Sequence, residues 1–269
     1  MRRVSVGKAK AGMVLGRAVY DIQGHLLLAR EDKLTEEGLG LLARSGSSEI
    51  LIEDPRVADV LVGSLFSAQM EAKAIQGLRL LLVTHEGTTE LIGSNDLIGI
   101  QPHVNAMMQR LSPDIMGDPD LSGFATLQGY DYVHPVKVAG LAMLIGRFAE
   151  LGAEDLVKLG MAALLQNVGY LSLPPGILEK PGAYTENDWY DVRKHPHYSV
   201  QLLAKSGLDE DSLQAIAQHH ERWSGSGYPE GREGDDISLF ARIIALADTY
   251  HALLSKRPHR KAFKPHEAV

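Results

Sequence analysis

A chain of 269 residues with 45% hydrophobic and 23% charged side chains is long enough for one large or two ordinary globular domains with a buried core. Its lack of cysteine excludes disulfides, thiolate metal sites and cysteine nucleophiles together, so any metal is held by His, Asp, Glu or carbonyl oxygen. A formal net charge of −7 argues against a nucleic-acid polymer as partner, because such binding rests on clustered Lys and Arg, whereas a small anionic nucleotide needs only a few cations.

No apolar run approaches the ~20 residues of a membrane helix. The start of the chain, Arg2-Arg3 without a following apolar stretch, does not read as a signal peptide. The expectation is a cytoplasmic protein without membrane contact. Residues 1–54 mix strand-like runs at 13–20, 25–29 and 49–52 with turn signals at 21–24 and Gly46. Between them Thr35, followed by Glu36 and Glu37, has the form of a helix N-cap, and Leu34, Leu39, Leu41 and Leu42 mark a short helix closed by Gly46. This small α+β module has too few strands for a deep active site and lacks a titratable cluster, so a regulatory or dimerising role, and with it a homodimer, is expected. Residues 55–123 read as a helical connector ending in a Pro, Gly, Asp and Ser linker at 112–123, where the main domain boundary is placed.

Residues 124–269 read as helices throughout. Leu141, Leu144, Ile145, Phe148 and Leu151 follow helical spacing, so an amphipathic helix is predicted over 134–151, ended by Gly152. A second, nearly all-apolar helix over 154–167, stopped by Gly169, implies central burial. Thr185 with Asp188 forms a capping-box start for a third, broken at Pro196 and restarting towards Leu203. A fourth is predicted over 211–220, and Ser238 caps a fifth that runs to about Ser255 before Pro258.

Of eleven His, seven lie at positions 195, 197, 219, 220, 251, 259 and 266. On the fifth helix Ile244, Ala247, Asp248 and His251 share one face, which puts a carboxylate on a stripe that faces the core. Such a charge needs a partner or a metal. Taken singly, Asp248 reads as a hydrogen-bonded core acid, and each His as a structural or surface residue. Taken together, His134, His195, His219, His220 and Asp248 fall on separate predicted helices, and helical bundles build metal sites from facing helices.

The stretch from His219-His220-Glu221 through Trp223, Ser224, Gly225 and Ser226 to Gly227-Tyr228-Pro229 resembles the H-H-E-x-x-D-G-x-G-Y-P signature of the HD-GYP family, departing only at Ser224. Residues 241–248, Arg257-Pro258, Lys194-His195-Pro196 and residues 130–138 are similar to the family's other motif helices, so the resemblance covers roughly residues 129–269. It implies a mainly α fold: an HD-type helical bundle after the small N-terminal α+β module. The chain stops where the family usually has further helices, which implies a short member. In the family, two or three iron or manganese ions activate a water that attacks cyclic di-GMP. Carried over by resemblance, His195, His219 and His220 hold one metal, His134 and Asp248 help hold another, and Arg257 and Arg260 face the phosphates.

The family's H-D-x-G-K stretch here reads Gln166-Asn167-Val168-Gly169-Tyr170, so the bridging Asp, a ligand His and a Lys are all replaced. Ser224 and His251 replace two further family acids, and His251 either ligates or pairs with Asp248. A three-His set holds a single ion, Fe, Mn or Zn, and two ions are not expected. Three functions follow as expectations. The first is an impaired HD-GYP protein that binds cyclic di-GMP, another small nucleotide or a signalling protein through the loop of Gly225, Gly227, Tyr228 and Pro229. The second is a phosphodiesterase working through a mononuclear three-His site, and the third an inert scaffold.

Overall fold

The computed structural model describes residues 1–45, 49–57, 66–111, 130–180 and 182–255, with residues 263 and 267. The linker and boundary expected at 112–123, the closing Gly46, Pro258, Arg257, Arg260, His259 and His266 lie outside the described residues.

The N-terminal module is built on strands β1 (Arg2–Ser5) and β4 (Glu49–Ile52), which pair antiparallel with Arg2 opposite Ile52. A second pair joins β2 (Val19–Tyr20) to β3 (Leu26–Leu28). Helix α1 (Glu36–Arg44) starts where Thr35 accepts a hydrogen bond from the Gly38 amide. Val4, Leu15, Leu34, Leu42, Ile50 and Ile52 close a small core under it. β1 escapes sequence reading because its two arginines mask the strand pattern, and an ion pair of Arg2 with Asp54 at 2.7 Å holds it from across the sheet. The run expected as one strand over 13–20 is only partly paired, with isolated bridges at Val14 and Leu15 before β2.

The rest is a helical bundle. Helices α2 (Ala68–His85) and α3 (Gln101–Arg110) pack on α4 (Tyr130–Phe148) and α5 (Ala153–Leu165). Leu78, Ile100, Val104 and Met107 therefore share one continuous core with Ala139, Met143, Leu159 and Ile244. Residues read as a connector thus supply part of the bundle's core. No helix among the described residues is long and apolar enough to cross a membrane.

Helix α4 ends earlier than its apolar spacing predicts, and Gly152 plays a different part. Glu150 takes the left-handed conformation (φ 63°), the Leu151 amide reaches back to the Gly146 carbonyl at 3.0 Å, and Gly152 becomes the N-cap residue of α5. The apolar α5 is central as expected, with Leu159, Ala162, Ala163 and Leu165 fully buried.

A 3₁₀ turn (Val168–Ser172) follows, then α6 (Glu186–Val192), α7 (His195–Leu202), α8 (Glu210–Gln218) and α9 (Leu239–Leu254). The Thr185 and Asp188 capping box and the Ser238 cap both form as the sequence predicts. The break and restart expected at Pro196 are the gap between α6 and α7, and Pro196 sits in the first turn of α7, where a residue has no intrahelical use for an amide hydrogen.

Candidate metal centre

Three ends of elements converge on one point. His195 begins α7, His219 caps the C-terminus of α8, and His220 follows it into the signature loop. A helix end solves the problem posed by adjacent histidines, because the chain turns there and the two rings need not diverge. One ring nitrogen from each of His195, His219 and His220 lies within 4.8 Å of the others.

Tautomers follow from the carbonyls behind the rings. His195 Nδ1 donates to the Val192 carbonyl at 2.8 Å, and His219 Nδ1 donates to the Ile216 carbonyl at 2.7 Å. In each neutral ring Nε2 is then the bare nitrogen, and these two face each other at 3.2 Å. Two lone pairs so close repel unless a cation stands between them. A proton fills that place poorly, because burial, and after it the charge of His219, pull His195 down to about 3. Burial likewise lowers His219, and it lowers His220 well below the usual histidine range. Outward-donating Nδ1 with inward Nε2 is the arrangement that orients histidine on a metal, so this donor set fits a divalent cation.

The loop that follows is held from beneath by Glu221, which is buried and accepts from the amides of Glu230, Gly231 and Arg232 at 2.7, 3.1 and 3.1 Å. Gly227 is required where it stands, because a Cβ there would meet the Arg222 nitrogen at 2.4 Å. Gly225 turns the chain at φ 74°. Tyr228, with Pro229 behind it, stacks on His220 with ring centroids 4.7 Å apart. Glu221 is a positioning residue to which the sequence alone assigns no role. Its place inside the signature is the one signal for it.

A second cluster joins α4 to α9. His134 Nε2 donates to Asp248 at 2.8 Å, and its Nδ1 lies 2.8 Å from His251 Nδ1 and 3.1 Å from the Tyr130 hydroxyl. Tyr130 also stacks on the imidazole at 4.7 Å. Both His134 nitrogens are thus engaged by protein, and His251 lies against His134. Burial by itself raises Asp248, but the His134 bond and the nearby His134, His220 and His219 outweigh it and hold the carboxyl well below its ordinary range. Since His219 and His220 reach Asp248 electrostatically, the two clusters are neighbours across one centre.

The replaced residues stand next to the three-His cluster. Gln166 is fully buried, and neither its Oε1 nor its Nε2 has a hydrogen-bond partner; the same holds for Asn167 Oδ1. Orphaned buried amide atoms cost about 1–3 kcal/mol each and need an explanation. Tyr170, in place of the family's Lys, lays its ring against His195 at 4.6 Å. Ser224 sits exposed, bonded to Ser226 at 2.9 Å. The 166–170 segment is clamped on α7 by Ser199, whose hydroxyl donates to the Gln166 carbonyl at 2.7 Å and accepts from the Gly169 amide at 2.9 Å.

Gly169 has no room for a side chain, as a Cβ would stand 2.1 Å from the His195 carbonyl and 2.5 Å from the Ser199 amide nitrogen. Gly169→Ala is therefore expected to push α7 outward and destabilise the protein by about 3 kcal/mol or more, read in a denaturant titration. An unchanged midpoint would show that this contact is not as tight as described.

A bundle gathering histidines and one aspartate from α4, α7, α8 and α9 defines the HD-domain class of metal-dependent proteins. A family profile described as "HD domain" matches residues 96–269, so the chain belongs to the HD domain family, in its HD-GYP branch. A Pseudomonas aeruginosa protein named cyclic di-GMP phosphodiesterase PA4108 is 33% identical over 176 residues, covering 62% of this chain and 42% of that protein. Vibrio cholerae 3'3'-cGAMP-specific phosphodiesterase 3 is 38% identical, over 52% of this chain and 30% of its own. The Xanthomonas campestris cyclic di-GMP phosphodiesterase response regulator RpfG is also 38% identical, over 47% of this chain and 34% of its own. The chain thus spans less than half the length of these curated relatives. Among solved structures, Bd1817, an HDG"Y"P protein from Bdellovibrio bacteriovorus, superposes with TM-score 0.54 at 16% identity over 94% of this chain and 87% of that one, a likeness of fold.

Proposed function

We propose that this chain is a catalytically impaired HD-GYP protein that holds one divalent cation at His195, His219 and His220 and serves to bind a cyclic dinucleotide or a signalling partner. The observation that carries this reading is that neutral amides stand at 166 and 167, with Gln166 buried and both its amide atoms unpartnered, and Asn167 Oδ1 buried and unpartnered as well. Two dications about 4 Å apart repel by about 16 kcal/mol at an effective dielectric of ~20, and a bridging carboxylate offsets much of that while a carboxamide, carrying no net charge, does not. A bound divalent cation supplies charge stabilisation for phosphate oxygens and acidifies water. This chain's own residues do the rest: Val192 and Ile216 fix the tautomers, Glu221 shapes the loop, and His134 keeps Asp248 ionised.

The expected result is no cyclic di-GMP hydrolysis in the presence of Mn²⁺ or Fe²⁺, with about one ion per chain by metal analysis after purification without chelator. Robust turnover under those conditions would overturn the impaired reading. One observation favours a second reading, a mononuclear phosphodiesterase: a three-His set with open positions is a donor set on which single-ion hydrolases also work. In that case His219→Ala removes metal and turnover together.

A further inference from the structure

A cavity of about 130 Å³ lies in the seam between the N-terminal module and the bundle, walled by β1, β2 and β4 on one side and by α2 and α4 on the other. None of its described lining residues belongs to the two histidine clusters. Much of the wall is aliphatic, from Ile50, Leu51, Ala72, Ile75 and Val133, and a space of that size holds a benzene-sized body. Charges of both signs are set into this wall. Among the described lining residues Arg3, Arg17 and Lys137 stand with Asp21, Glu49 and Glu71. The best buried of them are Arg17, Glu71 and Lys137, with side chains 13%, 9% and 10% exposed. Glu71 accepts from Arg17 Nη2 at 2.7 Å and pairs with Lys137, so one carboxylate of α2 is shared by a cation of the module and a cation of α4. Holding the module on the bundle does not call for buried charges, since a well-packed apolar seam does so without their desolvation cost.

We infer that this seam is a binding site for an apolar α-amino acid, with its side chain among the aliphatic residues and its carboxylate and ammonium set against the array of Arg17, Glu71 and Lys137. A ligand with a single charge is attracted by half of such a lining and repelled by the other half, and an uncharged one covers the charges without replacing their water. A zwitterion meets both signs. In an α-amino acid the two charges sit on either side of one carbon, which matches cations and a carboxylate that already lie within bonding distance of one another. The side chain of leucine has the size that the apolar part of the cavity takes. Val133 and Lys137 stand on either side of His134 in α4, so an occupant of the seam touches the helix that carries the second cluster.

The test is a calorimetric titration of the full chain with L-leucine and with two analogues, 4-methylpentanoate, which lacks the ammonium, and 3-methylbutylamine, which lacks the carboxylate. Leucine is expected to bind at least about tenfold more tightly than either analogue. Ala72→Leu on α2 and, independently, Ala18→Leu in the module fill the same space from opposite walls, and each is expected to abolish leucine binding while metal content stays that of the parent. The comparison of the three compounds is made on the parent chain, so a folding defect in a variant does not decide the matter. Absence of leucine binding to the parent, equal affinity for the three compounds, or binding that survives both substitutions overturns the site.

Discussion

Adding Mn²⁺ or Zn²⁺ at about a hundred times its dissociation constant is expected to stabilise the protein by about 2.7 kcal/mol, which for a chain of this size raises the thermal midpoint on the order of 5–10 °C. In His219→Ala the gain disappears. The reason lies in the facing Nε2 atoms of His195 and His219, 3.2 Å apart with their Nδ1 protons committed to backbone carbonyls. A cation between them replaces repulsion by two coordinate bonds. His220→Ala, at a less buried ring, provides a second variant should the loss of His219 compromise folding. If metal raises the midpoint of both variants as much as that of the parent, the three-His set is not the site.

This centre also sets an acid limit. Folded His195 titrates at about 3, while in the unfolded chain a histidine titrates near 6.5, so the unfolded state binds the extra proton between those values. Stability from keeping His195 neutral is full above about pH 6.5 and declines as the pH falls towards 3. Bound metal, which competes with protons for the same nitrogens, is expected to raise stability at neutral pH and to make the loss on acidification larger, because protons must displace it.

Gln166→His together with Asn167→Asp is expected to raise metal content from about one to about two ions per chain and to bring cyclic di-GMP hydrolysis above background. The double change returns the bridging anion and a ligand at positions where both Gln166 amide atoms and Asn167 Oδ1 are now buried without partners, so the new groups gain partners there. His134 must free one of its two ring nitrogens to join a second ion, which makes the His134–Asp248 bond the point of competition. Metal analysis and a turnover assay read the two effects separately. A double variant that still binds one ion and stays silent would place the impairment elsewhere, with Tyr170 in place of Lys as the next substitution to reverse.

Much of this protein is legible from local signals. The caps at Thr35, Thr185 and Ser238 and the centrally buried α5 all rest on contacts within a few residues, and they form as read. Where a feature depends on distant partners, the linear pattern misleads. β1 pairs across the module, and α4 stops at Phe148 with Glu150 in the left-handed conformation, short of the Gly152 at which the sequence ended it.

The same division holds at the centre. The amino-acid sequence by itself determined the family, the loop motif and the neutral replacements at 166 and 167, because those are matters of residue identity and spacing. Only the tertiary structure decided that His251 engages His134 and that the bare Nε2 atoms of His195 and His219 face each other. Tautomer, charge balance and partner choice are properties of through-space neighbours brought together by packing, and a linear chain does not carry distances.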